Sequence, residues 1–248
     1  MRILAVDTAT EHCSAALWLG DRLLVRERAQ PGEHAEHILT LVDELLAEGG
    51  VPLTGLGAIA FGRGPGAFTG VRLAASVAQG LAFGADLPVV PVSNLRALAQ
   101  RALDADVLVD RVLACSDARM REVYWATFIR DPAGLASPVG TEHVSEPSGV
   151  TIPHEWGGAG QFSAKLEAPV TGGQLCAAGT GFAAYPALRS TVAAGARTVL
   201  ESLAGRATEV VKLALGEAAA GRLLPAEAAL PVYLRDPLTR APQAGSGL

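Results

Sequence analysis

Two aspartates stand where a carboxylate suits chemistry. Asp7 closes the apolar run Ile3–Val6, and Asp117 closes Val112–Ser116. A carboxylate at a strand end can hold a metal–phosphate group, and it can equally accept the amides of the turn that follows. Residue type leaves both readings open, and Thr8 shares the first position. The other candidate is GRGPGAFTGVR, Gly62 to Arg72, set between an apolar run and an alanine-rich stretch. Glycine loops that open helices hold phosphate when backbone N–H groups and a lysine converge on it. This loop has no lysine. It meets dinucleotide spacing only loosely, through Gly62, Gly64 and Ala67, and Asp86 precedes the next strand instead of closing it. The loop therefore either seats an anion at a helix start or uses its glycines for positive φ angles and close backbone approach.

Other groupings carry less. His34 and His37 lie at i, i+3 beside Glu33 and Glu36, but HExxH spacing is absent. A solvated helix start, where acids meet the positive end of the dipole, accounts for them without a metal. No G-x-S-x-G elbow occurs. Arg119, Arg121, Tyr124 and Trp125 form a basic–aromatic cluster too small for a nucleic-acid site. A net charge of −5 without a Lys/Arg run excludes bulk affinity for nucleic acid.

These residues need a scaffold, and the composition supplies one. Half of the 248 residues are hydrophobic and 18% are charged, which excludes disorder as the default. Only three Trp, three Tyr and six Phe are present, so close helix packing through alanine is expected. Cys13–Leu19 and Arg22–Arg28 read as strands joined at Gly20-Asp21. Ile38, Leu41, Val42, Leu45 and Leu46 repeat at helical spacing until Gly49-Gly50. Gly57–Phe61 reads as a buried strand, followed by the glycine loop and a helix to about Gly84. Pro88–Val92 is the next strand, and Ser93 caps a third helix. Along the second helix a small-residue stripe, Val71, Ala74, Ala75, Ala78, Leu81 and Ala82, is flanked by Leu73, Val77 and Phe83. Such a helix is either deeply buried or shared with a partner.

The order then partly recurs. LAVDTATEHCSAALW and LACSDARMREVYWAT each read strand, aspartate, turn, strand, which suggests a duplicated unit. The Pro/Gly-rich segment 131–173 resists assignment. Gln174–Ala178 reads as a strand, and Arg197–Leu203 and Thr208–Ala220 read as helices. Three scattered cysteines, Cys13, Cys115 and Cys176, form no CxxC pair. With no signal-like leader and no apolar run of membrane-spanning length, the expectation is a cytoplasmic protein.

The stretches ILAVDTATEHCSAAL, HAEHILTLVDELLAEGG, GRGPGAFTGVRLAASVAQGLA, DARMREVYWATF and PVYLR resemble the TsaB (YeaZ) family. They fall in the expected order over roughly residues 1–130 and 231–235, and the glycine block is the most specific. This chain lacks the small residue usual near Arg121, and Gly179–Phe182 is a loose version of a glycine–aromatic motif. The family implies an α/β fold of the actin-like ATPase kind (heat-shock chaperone/sugar-kinase, ribonuclease H-like), built from duplicated βββαβα units. That fold implies an N-terminal domain at 1–104, joined by a C-terminal helix near 208–220, a second domain at 105–207 and a flexible tail at 239–248.

The resemblance also implies a function. The family is a partner subunit in threonylcarbamoyladenosine (t6A) synthesis at position 37 of bacterial tRNAs. Its catalytic paralogue, TsaD, carries metal-binding histidines four apart in a motif like V-N-H-x-E-x-H. In the matching segment Val92–Leu98, Asn94 and Leu98 occupy those positions. Asn is a poor transition-metal ligand and Leu is none. No metal and no catalytic residue are expected here. The implied role is a scaffold that heterodimerises with TsaD through its first two helices, about His34–Glu48 and Thr69–Gly84. The contacts expected from the first are His34, Ile38, Leu41 and Leu45. From the second they are Phe68, Val71, Arg72, Ala74, Ala75, Val77, Ala78 and Leu81. TsaE, an ATPase, joins the assembly, tRNA is met only through the complex, and both a homodimer and a monomer stay open for the isolated chain. Asp7, Thr8 and Asp117 are candidate nucleotide contacts, with ATP or ADP expected only in the complex. The competing readings are an independent ATP-using enzyme, with Asp7 and Asp117 flanking Mg²⁺, and a peptidase.

Overall fold

A computed structural model describes residues 1–29, 32–153, 156 and 174–235. The tail at 239–248 and the stretch 157–173 of the Pro/Gly-rich segment lie outside the described residues. Strands β1 (Ile3–Asp7), β2 (Cys13–Trp18) and β3 (Leu23–Arg28) form an antiparallel meander. Helix α1 (His34–Gly49), β4 (Ala58–Gly62), α2 (Phe68–Ala85), β5 (Val89–Val92) and α3 (Asn94–Ala105) follow. The first sheet has the order β3-β2-β1-β4-β5, with β4 and β5 running parallel to β1.

The chain then repeats itself. β6 (Arg111–Asp117), β7 (Val123–Arg130) and β8 (Ala136–Ser145) form a second meander. After β9 (Leu175–Ala178) come α4 (Thr180–Ala184), α5 (Pro186–Ala193), β10 (Thr198–Leu200) and α6 (Ala207–Ala219). The second sheet, β10-β9-β6-β7-β8, has the pairing pattern of the first. This is the duplicated arrangement of the actin-like ATPase fold. Two sequence expectations fail. Arg197–Leu203 is no helix; its β-branched Thr198 and Val199 extend the sheet beside β9, and the sheet context overrides local preference. α4 and α5 lie where no helix was expected.

Each sheet is covered on both faces, as the all-buried strands β1 and β4 require. Leu4, Val6, Ile59 and Phe61 face α1 and α2, whose Ile38, Leu41, Leu45, Ala74 and Ala78 fill that side. The opposite face presents Ile3, Ala5, Ala16, Ala58 and Ala60 to Ala207, Val210, Val211 and Ala214 of α6. Alanine facing alanine lets helix and sheet approach closely, as the composition implies. The two helices that end each repeat are exchanged. α6 follows the second sheet yet covers the first, while α3 follows the first and packs Leu95, Leu98, Ala99 and Leu103 on Val112, Ala114 and Phe128 of the second. Ser93 caps α3, its Oγ accepting the Arg96 amide at 3.1 Å.

α2 sits on the end of β1 at Gly70, where a Cβ would overlap the Thr8 carbonyl oxygen. Ten residues on, Gly80 is exposed in the same helix with open space around it. Gly70→Ala is therefore expected to destabilise by ~2 kcal/mol or more through overpacking. Gly80→Ala should stabilise by about 0.5–1 kcal/mol, because alanine loses less conformational freedom in a helix. Urea unfolding of the two variants checks the contrast, and equal effects would contradict this seating of α2.

Candidate functional site

The end of β1 is closed over by the chain's own groups. Asp7 is 1% exposed, and both its oxygens accept hydrogen bonds. Oδ1 takes the Ala9 amide at 2.8 Å, and Oδ2 takes Nδ2 of Asn94 at 2.7 Å. The other end of that amide is also used, since Asn94 Oδ1 accepts the Gly64 N–H at 2.7 Å. Gly64 returns the contact, its carbonyl accepting the Asn94 N–H at 3.0 Å. Thr8 donates its hydroxyl to the Gly70 carbonyl at 2.7 Å. Four segments thus meet around Asp7 and Thr8: β1, the glycine loop, α2 and the first residue of α3. Burial raises the Asp7 pKa from 3.8 to about 7, against the Ala9 and Asn94 hydrogen bonds, with Glu209 of α6 adding a further upward push.

The glycine loop serves this closure. The amides of Arg63, Gly64 and Ala67 are spent on Val92 O, Asn94 Oδ1 and Ala9 O. Gly64 has φ +102°, and a Cβ there would stand 2.8 Å from the Val232 carbonyl oxygen. These observations favour the packing reading of the loop over an anion seat. The feature missed from sequence is the partner of that packing: Val232, in PVYLR, donates its amide to Arg63 O at 2.7 Å. Asp117 ends β6 as Asp7 ends β1, and its Oδ1 accepts the amide two residues on, that of Arg119, at 2.9 Å. Tyr185 donates its hydroxyl to the same oxygen at 3.4 Å, and the Arg119 guanidinium lies 3.3 Å from Oδ2. Both aspartates therefore bond turn amides, and no hydrogen bond among the described residues joins them.

The position of Asn94 and Leu98 does not suit a transition metal. Asn94 has both ends of its amide engaged, and Leu98 is buried against the second sheet beside Gly179 and Gly205. His34 and His37 part company. His34 Nε2 lies 3.0 Å from the Thr10 carbonyl, and His37 pairs with Glu33 at 3.2 Å. Among the described residues no cluster of three or more His, Cys, Asp or Glu could hold a metal. The three cysteines are free and buried, and burial pushes Cys13 up to about 11 and Cys176 up to about 12.

With this geometry in view, the likeness to known proteins is informative. A family model for TsaD, tRNA N6-adenosine threonylcarbamoyltransferase, matches residues 28–246. The tRNA threonylcarbamoyladenosine biosynthesis protein TsaB of Escherichia coli (strain K12) is 41% identical over 236 residues, covering 95% of each chain. The chain belongs to the TsaB family. The Haemophilus influenzae TsaB is 51% identical over 132 residues, 53% of this chain and 55% of that one. Two solved structures from Pseudomonas aeruginosa share the fold at 39% identity. One is YeaZ, with a TM-score of 0.78, and one is described as similar to peptidase YeaZ, with a TM-score of 0.79. Each covers 94% of this chain, and this chain covers 99% of each.

The residues expected at a TsaB partner interface divide in two. Ile38, Leu41, Leu45, Val71, Ala74, Ala75 and Ala78 are buried in the chain's own core and offer no surface to a second chain. In this chain these seven positions are core, and the helix faces that carry them pack on its own first sheet. Phe68 and Arg72 are exposed, while His34, Val77 and Leu81 are half-buried. Leu39 and Phe83, at 51% and 78% exposure, lie on the same two helices. Sequence held a signal for Leu39, an apolar residue standing off the helical stripe.

The Asp7 network makes a pH-dependent prediction. Because the folded-state pKa of about 7 lies above the ordinary 3.8, the folded chain keeps a proton the unfolded chain releases between them. The Asp7 contribution therefore falls as pH rises through that window, at roughly 1 kcal/mol per pH unit, and levels off above it. Asp7→Asn does not titrate, so its stability relative to the parent chain should rise from pH 5 to pH 7 in urea unfolding. A difference that stays flat with pH would contradict the buried, proton-holding carboxylate.

Proposed function

We propose that this chain is a non-catalytic scaffold subunit for threonylcarbamoyl transfer to adenosine 37 of tRNAs, acting as a heterodimer with a TsaD-type catalytic paralogue. The observation that carries this reading is the closed end of β1 in a chain related along nearly its whole length to the E. coli TsaB. A metal–phosphate group needs carboxylate oxygens that face it. Here both Asp7 oxygens are taken by the chain itself, Oδ1 by the Ala9 backbone amide and Oδ2 by Asn94, the side chain that stands at the paralogue's first histidine position. Asp117 is likewise committed to Arg119 and Tyr185. These commitments support a scaffold over an independent ATPase. The missing nucleophile motif speaks against a peptidase. Nucleotide, on this reading, is bound only in the complex, where a TsaE-type ATPase joins, and tRNA is met through the complex.

The docking face we propose is the outer side of α1 and α2. Its available residues are Leu39, Phe68, Val77, Leu81 and Phe83, an apolar set of the kind that seeks cover, with the Arg72 guanidinium beside Phe68. In the absence of the paralogue the same face would pair with a second copy. No described helix is long and apolar enough to cross a membrane. Buried free thiols with raised pKa values suit a reducing compartment, so we place the protein in the cytoplasm.

Reconstitution with the paralogue, a TsaE-type ATPase and tRNA tests the proposal. The chain alone should neither transfer the group nor turn over Mg-ATP, and leaving it out should abolish t6A formation. Leu39→Glu and Phe83→Glu, both at exposed positions, should each weaken the heterodimer by about tenfold or more while keeping the parent melting profile. Turnover by the isolated chain, or complexes that survive both changes, would overturn the reading.

A further inference from the structure

The last described segment, residues 231–235, ties together parts of the molecule that the two sheets keep separate. At one end it belongs to the first half. Val232 donates its amide to Arg63 of the glycine loop at 2.7 Å, and the Tyr233 hydroxyl accepts Nε of Arg72 at 2.6 Å. Arg72 lies 3.7 Å over the Phe68 ring and 5.5 Å over the Tyr233 ring, and the two rings sit 5.6 Å apart. At the other end Arg235 reaches the second half. Its Nη2 donates to the Ala118 carbonyl at 3.1 Å and to the Glu122 carboxylate, in the β6–β7 turn. Nearby, Arg63 itself crosses to Glu142 of β8 at 3.1 Å.

Three features mark this as more than a trailing end. First, the turn that Arg235 holds is strained. Arg119, Met120 and Arg121 have φ values of +60°, +53° and +64°, which cost of order 1 kcal/mol or more each for residues with a Cβ. Such a turn needs an outside restraint, and Arg235 grips it on both sides, at Ala118 and at Glu122. Second, Phe68 and Tyr233 are 58% and 44% exposed, yet they are locked around a guanidinium. Exposed aromatics held rigid beside an arginine are typical of preorganised binding anchors, since little side-chain freedom is left to lose on docking. Third, Nε of Arg235 is buried without a partner among the described residues, so the guanidinium is drawn out of water where it meets the turn.

We propose that residues 231–235 are a clasp by which the second half positions the Phe68–Arg72–Tyr233 rim of the docking face, with Tyr233 and Arg235 as positioning residues. This rests on the α1/α2 face proposed above, and the occupant of the rim is the same catalytic paralogue. The clasp sets the rim in two steps. Arg235 fixes the far end of the segment on the β6–β7 turn, and the Val232 amide fixes the near end on the glycine loop. Tyr233, between them, is then held where its hydroxyl meets Arg72.

The test uses the full chain and the paralogue. Arg235→Ala should speed amide hydrogen exchange at 231–235 and in the 118–122 turn, and weaken paralogue binding about tenfold in titration calorimetry. Tyr233→Ala should weaken binding similarly while leaving exchange in the 118–122 turn unchanged. Glu122→Arg should mimic Arg235→Ala, and the double variant Glu122→Arg/Arg235→Glu, which restores the ion pair but not the bond to the Ala118 carbonyl, should recover part of both affinity and protection relative to Glu122→Arg, which a merely structural loss would not. Arg235→Ala with raised exchange but parent affinity would overturn the link to the rim, and unchanged exchange would overturn the clasp itself. If the parent chain fails to bind the paralogue at all, the docking reading falls, and the exchange measurements still report separately on the clasp.

Discussion

A carboxylate withdrawn from water must find hydrogen bonds or keep its proton, and Asp7 is placed so that both demands shape the protein. Its two oxygens draw in the Ala9 amide and the Asn94 side chain, and Asn94 in turn grips the Gly64 amide. One amide side chain therefore decides how the glycine loop lies against the start of α3. The loop then determines where α2 begins, and α2 carries the exposed rim. Removing the Asn94 amide would leave a buried carboxylate and a buried N–H both short of a partner, the kind of loss that costs more than the bond contributes.

The two halves show how one framework is used in two ways. Asp7 and Asp117 end equivalent strands, and each accepts the amide two residues on. The first is sealed by a neighbouring helix. The second stays partly open, beside a turn whose three left-handed residues project an arginine on either side of Met120. The repeat thus places the same residue type at the same topological position, buried in the first half and half-buried in the second.

Much of this was legible beforehand, and the rest was hidden for identifiable reasons. The α1 stripe through Ile38, Leu41 and Leu45, the Ser93 cap and the strand–aspartate–turn–strand recurrence all depend on neighbours in sequence. The closed aspartate needed a partner 87 residues away in Asn94, and the rim needed one 161 residues from Arg72 in Tyr233. No local pattern announces such pairs. Strand β8 carries Pro138 and Gly140, which disguise it as loop although an edge position tolerates both. β10 is only three residues long and exists because β9 offers it a free edge. The small-residue stripe of α2 was read as both core and interface, and packing against β1 and β4 resolved it toward core.

The exchange of α3 and α6 bears on how the chain is made. As it leaves the ribosome, the first sheet is complete by residue 92, but the helix that covers Ile3, Ala5, Ala58 and Ala60 arrives only at residue 207. For the whole interval an apolar sheet face waits uncovered while the second sheet is translated and folds around α3. Early release of the nascent chain would therefore yield a collapsed fragment with an open face, prone to association. The first sheet is thus closed by a helix that is made only after every strand of the second.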